Sequence, residues 1–535
     1  MFRGSRDIEI ADAFFFIENP AQSDITADGF TLNWTTNVEG STTIKYGTTT
    51  DLENEMTVTG MASDHSIQLS GLEPSEFYYV QAESEKDGTT IKSSVRYFST
   101  ASNSSGEIKV YFNKSVDPTF SNGSLAEATT AVALENAIVD AINTAQTSID
   151  VSMFNNNRER IIQTLQAAKD RGIQVRYITN NGSFNSALQS PHDFPVLRLN
   201  PDALMHNKYF VIDADSEMDS WVIAGSLNLT EENQLNDYNN MVFIQDQALA
   251  KSYTLEFNEM WGTSGAQPSV FNVKAGSTKT DNTPHQFMIN GQLIENYFSP
   301  SDNTTLAIAK TINNAEESVD FALLSFTINE LGTAILNAHN DGKMVRGIIE
   351  NTGDQGTEFQ FLQDRNVNVI DHPASGSIHH KYAIIDGKVS NGDPIVVTGS
   401  HNWSASAEVR NDENTLIIHS PEVANIFVQE FEQRWCETNG GNCFTSIFES
   451  NNKKELSLTA FPNPIMDEAY INVETIESLR NVNLSIFSVN GQLIFSKIVP
   501  FQNQIPFSLK GLPTGTYFAK VQSADYQGVL KLIKE

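Results

Sequence analysis

The middle of the 535-residue chain carries the same polar pattern twice, in register with the same hydrophobic pattern. Each copy spaces a His, a Lys and an Asp identically: His206, Lys208 and Asp213 in MHNKYFVID, and His379, Lys381 and Asp386 in HHKYAIID. Each member of the second set lies 173 positions after its counterpart. A buried strand by itself requires no particular polar residue. The repeat therefore predicts two similar lobes that share one function, rather than a single strand with polar flanks.

Two further segments recur 174 positions apart. GSLN in the first copy matches GSHN in the second, and NNMVFI matches ENTLII. These segments add paired polar residues: Ser226 with Ser400, Asn228 with Asn402, and Asn240 with Asn414. Around them, strands alternate with helical stretches such as RERIIQTLQAAKDRG and NELGTAILNAHNDG. The pattern predicts two α/β lobes, at 107–262 and 286–437, joined by a linker at 263–285.

Strand geometry separates the residues within each motif. Because side chains two apart on a strand share a face, His206 and Lys208 project together, and the second pair does the same. An odd separation from the histidine turns each aspartate the other way. We therefore expect Asp213 and Asp386, although part of the catalytic motif, to hold a turn or pair with a basic residue.

Placed face to face, the two lobes would bring together two imidazoles, two ammonium groups, two amides and two hydroxyls. Lysine supplies charge for the non-bridging oxygens of a phosphodiester, and amides and hydroxyls donate further hydrogen bonds. One imidazole can serve as a nucleophile and the other as a general acid, since histidine titrates near neutral pH. The motifs contain no carboxylate cluster typical of a metal site, so no metal and no other cofactor is expected.

Two copies of His-x-Lys-x4-Asp followed by Gly-Ser-x-Asn resemble the phospholipase D superfamily over roughly residues 107–437. The resemblance implies two mixed-sheet α/β lobes with flanking helices, and one active site at their pseudo-twofold interface. One histidine would form a phosphohistidine. The other would protonate the leaving alcohol and then activate water or a competing alcohol. The residues expected to contact the phosphate are Lys208, Lys381, Ser226, Asn228, Ser400, Asn402, Asn240 and Asn414.

In this superfamily a carboxylate shortly after Gly-Ser-x-Asn often orients the histidine of its own lobe. The second copy has Glu413 at this place, whereas the first has Asn239, with Asp237 nearby. A carboxylate partner fixes the imidazole tautomer and supports the cation. We therefore expect Glu413 to orient His379, which would be the nucleophile. His206 would then be the acid/base. The preference disappears if Asp237 replaces the missing carboxylate.

Short alternating strands predict a β-sandwich domain at each end of the chain. Residues 14–101 resemble a fibronectin type III domain, with Trp34 in an early strand and Tyr78 where a tyrosine corner would fall. Residues 455–535 contain FPNP, SVNGQLI, GLPTGTYFAKV and a closing KLIKE, which together resemble the C-terminal sorting domain of type IX secretion substrates. This resemblance implies the type IX secretion machinery as a partner, with release from the cell or attachment to its surface.

Two cysteines agree with an exported protein. Cys436 and Cys443 lie in WCETNGGNC, whose Gly-containing loop could close a short disulfide in an oxidising compartment; the alternative is two free thiols. Without a histidine partner they are too few for a zinc site. The start, MFRGSRDIEIADAFFFIENP, has only a five-residue apolar run and is not a signal peptide. Since such cargo normally needs one, we expect a truncated N-terminus.

The charge balance of the chain limits the range of substrates that it can bind. The chain has 34 Lys and Arg against 66 Asp and Glu, a net charge of −32, which repels polyanions and anionic membranes. No apolar run is long enough for a transmembrane anchor. We favour a phospholipid over nucleic acid, because no basic groove is evident, and expect a monomer with an internal pseudo-dimer. The alternatives are a metal-independent endonuclease of the same superfamily and a catalytically inactive adhesion protein.

Overall fold

A computed structural model describes most of the chain. The described residues are 13–182, 184–199, 204–372, 375–388, 392–439, 454–474, 481–488, 493–500, 502–522 and 526–535. Within them, no helix is long and apolar enough to cross a membrane. Cys436 lies in the last helix of the second lobe, whereas Cys443 lies outside the described residues. The disulfide between them therefore stays a prediction.

The N-terminal segment forms a six-stranded antiparallel sheet with its own hydrophobic cluster around Trp34. Its strands are β1 (Phe16–Thr26), β2 (Gly29–Gly47), β3 (Asn54–Ser70), β4 (Phe77–Lys86), β5 (Thr89–Lys92) and β6 (Arg96–Ser99). The Tyr78 hydroxyl accepts a hydrogen bond from the Glu73 N–H at 3.0 Å, the contact expected of a tyrosine corner. The fibronectin type III assignment and the domain boundaries stay predictions.

The first lobe is a seven-stranded mixed sheet in the order β10-β9-β8-β11-β12-β13-β7. β8, β9 and β10 pair in parallel, and the remaining pairs are antiparallel. Its elements are β7 (Ile108–Phe112), α1 (Ala131–Thr144), β8 (Ser148–Met153), α2 (Glu159–Asp170), β9 (Gln174–Asn180), β10 (Val196–Leu199), β11 (Lys208–Ile212), β12 (Trp221–Gly225), α3 (Glu231–Leu235), β13 (Asn240–Ile244) and α4 (Gln247–Trp261).

The second lobe repeats this topology and adds one edge strand, in the order β14-β15-β21-β20-β19-β16-β17-β18. Its elements are β14 (Gln286–Ile289), β15 (Gln292–Ser299), α5 (Thr304–Asn313), β16 (Ser318–Leu323), α6 (Asn329–Asn340), β17 (Met344–Ile349), α7 (Glu358–Gln363), β18 (Asn368–Asp371), β19 (Lys381–Ile385), β20 (Ile395–Gly399), α8 (Ala405–Val409), β21 (Glu413–His419) and α9 (Pro421–Thr438). Two similar α/β lobes were predicted from the repeat, and the structure contains them.

The central strands β11 and β19 are buried along their whole length, because helices cover both faces of each sheet. α1 and α2 pack on the outer face of the first sheet, and α5 and α6 on that of the second. α4 and α9 lie between the sheets, where one hydrophobic cluster runs through both lobes. Burial of this apolar surface fixes the orientation of the lobes and thereby the site at their interface.

The segment at 263–285, predicted as a linker, makes specific contacts with both lobes. The Lys279 ammonium is fully buried and bonds the Glu256 carboxylate of the first lobe. It also donates to the Ser299 carbonyl of the second lobe at 2.8 Å and lies 3.8 Å from the Asp412 carboxylate. A buried ammonium is stable only when it is paired in this way. The segment therefore stabilises the contact between the two lobes.

The C-terminal segment contains a five-stranded and a three-stranded sheet that share one hydrophobic cluster. Its strands are β22 (Lys454–Glu455), β23 (Ser457–Phe461), β24 (Glu468–Glu474), β25 (Asn481–Ser488), β26 (Leu493–Pro500), β27 (Gln504–Ser508), β28 (Gly515–Gln522) and β29 (Tyr526–Lys534). The assignment of sandwich domains to the two ends of the chain stays a prediction.

Candidate active site

The two motif histidines lie immediately before β11 and β19, where each lobe touches the other. The His206 N–H donates to the Asp412 carbonyl at 2.9 Å, and the His379 N–H donates to the Tyr238 carbonyl at 3.1 Å. In this way the backbone leading to each histidine is bound to the other lobe, just before that lobe's β21 or β13. The site is therefore assembled across the interface, as the resemblance implied.

A carboxylate of the second lobe holds the imidazole of the first. His206 Nδ1 lies 2.8 and 2.9 Å from the two carboxylate oxygens of Glu413. Glu413 is fully buried, and His206 is nearly so. Because a carboxylate only accepts, Nδ1 carries the proton and Nε2 keeps its lone pair. His206 is thus oriented as a nucleophile or a base.

An amide takes the equivalent position at the other histidine. His379 Nδ1 lies 2.8 Å from Asn239 Oδ1. Oδ1 also accepts from the Ser226 hydroxyl at 3.0 Å, and the amide nitrogen donates to the Asn233 carbonyl at 2.9 Å. These contacts fix which end of the amide faces the imidazole. His379 therefore has a neutral partner, whereas His206 has a charged one.

This exchange between lobes corrects the expectation that Glu413 serves the histidine of its own lobe. Glu413 bonds His206, and Asn239 of the first lobe bonds His379. Asp237 does not substitute for a carboxylate at His379, because its two oxygens accept from the Ser377 N–H and the Asn233 amide. A carboxylate partner was the reason to expect His379 as the nucleophile. Because His206 has that partner, the same argument favours His206.

The two motif lysines are buried and make equivalent contacts. Lys208 Nζ donates to the His206 carbonyl, and Lys381 Nζ to the His379 carbonyl, each at 2.6 Å. Burial lowers the pKa of Lys208 to about 7, although Glu413 opposes this shift. The pKa of Lys381 lies well below its usual value because of burial and the charge of Lys208. Two buried amines that lower each other's tendency to be charged gain their protons most easily when an anion binds beside them.

The pKa values of the other site residues reflect the same crowding of charge. Burial is the largest influence on Glu413 and acts to raise its pKa, but His206 and Lys208 outweigh it and lower the pKa to about 2. Burial lowers the pKa of His206, and Glu413 partly offsets this. The pKa of His379 lies well below its usual value because of burial, Lys381 and Lys208. Residues of both lobes therefore act on one another within one site.

The motif aspartates hold turns away from this cluster. Asp213 accepts from the backbone N–H groups of Gln146, Thr147 and Ser148 at 2.7 to 2.9 Å. Asp386 makes the same three contacts with residues 316–318 at 2.7 to 2.8 Å. Both have positive φ, +47° and +54°, which Asp tolerates better than most residues. The role expected from strand geometry is the one observed.

Ser226 and Ser400 are corrected from phosphate ligands to supports of the histidine partners. The Ser400 hydroxyl donates to Glu413 at 2.7 Å and accepts from the Asn414 N–H at 3.0 Å. The Ser226 hydroxyl donates to Asn239 and accepts from the Asn240 N–H at 3.2 Å. Both residues are fully buried. Their hydroxyl protons are already donated within the protein and are not available to a phosphate.

Asn240 and Asn414 are also corrected. Asn240 follows Asn239 at the start of β13, and Asn414 follows Glu413 on β21, so each side chain points to the face opposite the histidine partner. The Asn240 amide bonds His380 Nδ1 at 3.0 Å and accepts from Thr398 at 2.9 Å. The Asn414 amide donates to the Tyr253 hydroxyl at 3.3 Å. These contacts stabilise the interior of the interface rather than a substrate.

Asn228 and Asn402 remain candidates for contact with the phosphate. Asn228 donates one amide hydrogen to Asn233 at 2.6 Å, which leaves the second one available. Asn402 is half-buried, and its buried amide oxygen has no protein partner, as is also true of Asn228. Both lie directly after β12 or β20, close to the serines that support the histidine partners. Their role as phosphate ligands stays a prediction.

Sequence reasoning missed two contributors to the site, and it read a third, Asn239, only as a missing carboxylate. Asn239 lies 174 positions before Glu413, at the equivalent place of the repeat, and it is the partner of a histidine. Asn233 orients Asn228 and Asp237 through its side chain and Asn239 through its carbonyl. Its counterpart in the second lobe is Ala407, which gave no signal. The other missed residue is Phe154, whose ring contacts His206.

Among the described residues, one group of three side chains is close enough to hold a metal ion. It consists of Asp281, His285 and Asp302, at the end of the linker segment and the start of the second lobe. It includes none of the motif residues. The donors gathered at His206 and His379 are two imidazoles, two ammonium groups and one carboxylate, which fit an anion better than a cation.

Models of known protein families match both the lobes and the C-terminal segment. Residues 138–261 and 308–435 each match the family described as "Cardiolipin synthase, PLD-like domain". Residues 459–535 match "Secretion system C-terminal sorting domain". The chain therefore contains two phospholipase D-like domains, one in each lobe, followed by a C-terminal sorting domain.

Three of the similar proteins each match about a quarter of this chain. Mitochondrial cardiolipin hydrolase of Xenopus tropicalis is 34% identical over 125 residues, 23% of this chain and 57% of the relative. Phospholipase D of Rickettsia conorii is 32% identical over 139 residues, 26% of this chain and 66% of the relative. Nuc, a phospholipase D family member from Salmonella typhimurium, is 25% identical with a TM-score of 0.24, over 29% of this chain and 98% of Nuc. The chain thus spans about half to two thirds of the curated relatives.

Proposed function

We propose that this protein is a secreted phosphodiesterase of phospholipase D type, with a phospholipid as the favoured substrate. The observation that carries the proposal is the buried pair of His206 and Glu413, which joins the two lobes beside His379 and two buried lysines. The relatives' names, cardiolipin hydrolase and phospholipase D, support the same class of reaction. The sorting domain supports export through the type IX machinery.

The first chemical step is attack on phosphorus. His206 Nε2 donates its lone pair to the phosphorus, a P–N bond forms, and the bond to the leaving alcohol oxygen breaks. The negative charge of the bound phosphodiester raises the pKa of His379, so that it is protonated on both ring nitrogens, and its Nε2–H gives its proton to that oxygen. The imidazolium formed at His206 is stabilised by the Glu413 carboxylate, 2.8 Å from Nδ1. A neutral amide would stabilise this cation less than a carboxylate does. We therefore assign the attack on phosphorus to His206.

The second step reverses the roles. Neutral His379 takes a proton from water, and the water oxygen attacks the phosphorus as the P–N bond breaks. His206 leaves as a neutral imidazole with its Nδ1–H still bound to Glu413. Burial and the two lysines keep the pKa of His379 low in the free protein, and the bound phosphate raises it, so that His379 can donate a proton in the first step and take one in the second. An alcohol in place of water would give transfer instead of hydrolysis.

The buried lysines bind the phosphate charge. In the free protein burial lowers the pKa of Lys208 to about 7, and that of Lys381 lies well below its usual value. A bound phosphodiester brings the negative charge that both ammonium groups lack, so the pKa values rise on binding. The attraction increases again as charge develops on the phosphoryl oxygens in the transition state. Asn228 and Asn402 donate further hydrogen bonds.

Exposed apolar side chains near the site support a phospholipid over nucleic acid. They are Phe184 and Leu204. The Leu204 N–H donates to Asn411, whose amide donates to Glu413, and the Phe184 N–H donates to Asn155, just beyond β8. Apolar residues at the rim can enter a lipid interface. The net charge of −32 disfavours a polyanionic substrate and equally disfavours an anionic membrane, so it does not decide between the two substrates.

A panel of substrates tests this proposal. The purified protein is incubated in EDTA with phosphatidylcholine, cardiolipin, single-stranded DNA and bis(p-nitrophenyl) phosphate. We expect release of the headgroup alcohol from a phospholipid, abolished by either His206→Ala or His379→Ala. Preference for DNA would replace the phospholipid by the endonuclease alternative. Absence of turnover on all four substrates would favour the inactive adhesion protein and end the enzymatic proposal.

A pre-steady-state experiment identifies the nucleophile. Nitrophenolate leaves without protonation, so the first step proceeds when the general acid is missing. His379→Ala should therefore release one equivalent of nitrophenol in a burst and retain a phosphoryl group on His206. His206→Ala should give no burst. The opposite pattern would assign attack to His379.

A further inference from the structure

The aromatic ring of Phe154 lies against the first-lobe motif and has no aromatic counterpart in the second lobe. Its centroid lies 4.8 Å from that of the His206 imidazole, with an interplanar angle of 64°. Lys208 Nζ lies 5.2 Å from the same centroid. Phe154 is half-buried, so one part of the ring remains accessible from solvent. One ring thus contacts both members of the His-x-Lys motif.

The two lobes differ at this position although their backbones agree. The Phe154 N–H donates to the Asn207 carbonyl at 3.0 Å, and the Leu324 N–H makes the same bond to His380. Both residues follow a buried strand, β8 or β16, by one position. The second lobe therefore has an aliphatic side chain where the first has an aromatic one. This difference matches the second asymmetry of the site, Glu413 at His206 and Asn239 at His379.

We propose that Phe154 is a positioning residue of the attacking histidine, which it holds edge-on while its face stabilises the Lys208 ammonium. This inference rests on the proposed function, in which His206 attacks and Lys208 binds the phosphate. Glu413 fixes the imidazole at Nδ1 but leaves the ring free to rock about that contact. Phe154 removes this freedom from the side, so that Nε2 faces the phosphorus.

The second effect concerns the charge of Lys208. The titratable groups that face it are His206 on its own segment, Glu413 on β21, and His379 and Lys381 of the second lobe. Only Glu413 favours the ammonium form, and burial lowers the pKa of Lys208 to about 7. An aromatic face within about 6 Å favours the ammonium form. Phe154 therefore extends the pH range in which the free site can bind a phosphate.

Substitution of Phe154 by leucine copies the second lobe and tests both effects. For Phe154→Leu with bis(p-nitrophenyl) phosphate we expect kcat to fall about tenfold, at the scale of a lost aromatic–cation contact. KM should change little at pH 6, and the alkaline limb of the profile should move to lower pH. Phe154→Tyr keeps the ring and should restore both quantities. Phe271→Leu, at a side chain 97% exposed, is the matched control and should change neither.

Binding of inorganic phosphate, measured by calorimetry, separates this inference from the proposed function. If the wild-type protein binds phosphate but hydrolyses nothing, the proposed function fails. The inference about Lys208 then depends on whether phosphate affinity at pH 8 drops in Phe154→Leu and returns in Phe154→Tyr. An unchanged pH dependence of both kcat and phosphate affinity in Phe154→Leu would overturn the inference. A uniform loss in the leucine and tyrosine variants would indicate a structural role only and would also overturn it.

Discussion

Glu413 of the second lobe binds the imidazole of His206 in the first lobe through both carboxylate oxygens, 2.8 and 2.9 Å from Nδ1. The pair is buried, and its two members are 207 positions apart in the chain. Neither lobe alone contains a histidine with its partner. The following predictions test what this exchange does for chemistry and stability.

Glu413→Gln should keep the shape of the pair and remove its charge. A glutamine oxygen still accepts from Nδ1, so His206 stays oriented, but the imidazolium formed on attack is no longer stabilised by a carboxylate. We expect kcat to fall by roughly 100-fold or more with KM nearly unchanged. Steady-state kinetics on bis(p-nitrophenyl) phosphate measure this. A smaller loss than in Asn239→Ala, on the other side of the site, would contradict the assignment of His206 as nucleophile.

Asn239→Glu should make the two histidines alike. A carboxylate at His379 favours the protonated imidazole, so the pKa of His379 should rise and the pH optimum should move upward. The Asn233 carbonyl would lose the Asn239 amide, which donates at 2.9 Å, would keep the Asn113 amide at 3.1 Å, and would face a carboxylate instead. We therefore expect a stability cost of about 1–3 kcal/mol. The measurements are a pH–rate profile and urea unfolding; an unchanged profile in a folded variant would contradict the pairing.

Lys208→Met should stabilise the protein while abolishing phosphate binding. The pKa of Lys208 is about 7 when folded, against about 10.4 in an unfolded chain, so the unfolded state binds more protons between these values. The destabilisation that Lys208 causes is therefore greatest below pH 7, and it disappears as the pH rises toward 10. We expect the variant to be more stable by roughly 4 kcal/mol at pH 6, with the difference shrinking toward pH 10. Urea unfolding at several pH values measures this difference. A difference that stays constant with pH, or that has the opposite sign, would contradict the prediction.

Asp213→Asn should cost stability rather than chemistry. The carboxylate accepts three backbone N–H groups, and an amide nitrogen in its place would leave at least one of them unpaired. We expect a loss of about 2–3 kcal/mol in the free energy of unfolding and a kcat close to wild type at low temperature. Asp386→Asn is the matched variant in the second lobe. A variant with normal stability and no activity would show that the aspartate takes part in the reaction.

Much of the site could be predicted because the repeat aligns residues of the same role. Strand alternation correctly separated Asp213 from His206, since that rule depends only on the local backbone. The same rule, applied to NNMVFI, would have placed Asn239 and Asn240 on opposite faces. Asn240 was instead expected at the phosphate because it recurs as Asn414. Recurrence alone does not distinguish a residue that contacts substrate from one that stabilises the interface.

The sequence by itself determined that two α/β lobes exist, that each brings a His and a Lys to one end of a central strand, and that an acid and an amide lie at equivalent places. Only the tertiary structure decided which histidine receives the acid. Glu413 is 34 positions from His379 and 207 from His206, yet it binds the more distant one. The reason is that the partner of each histidine is set by how the lobes dock. Docking depends on the apolar cluster around α4 and α9. A local pattern of polar residues does not predict how that cluster packs.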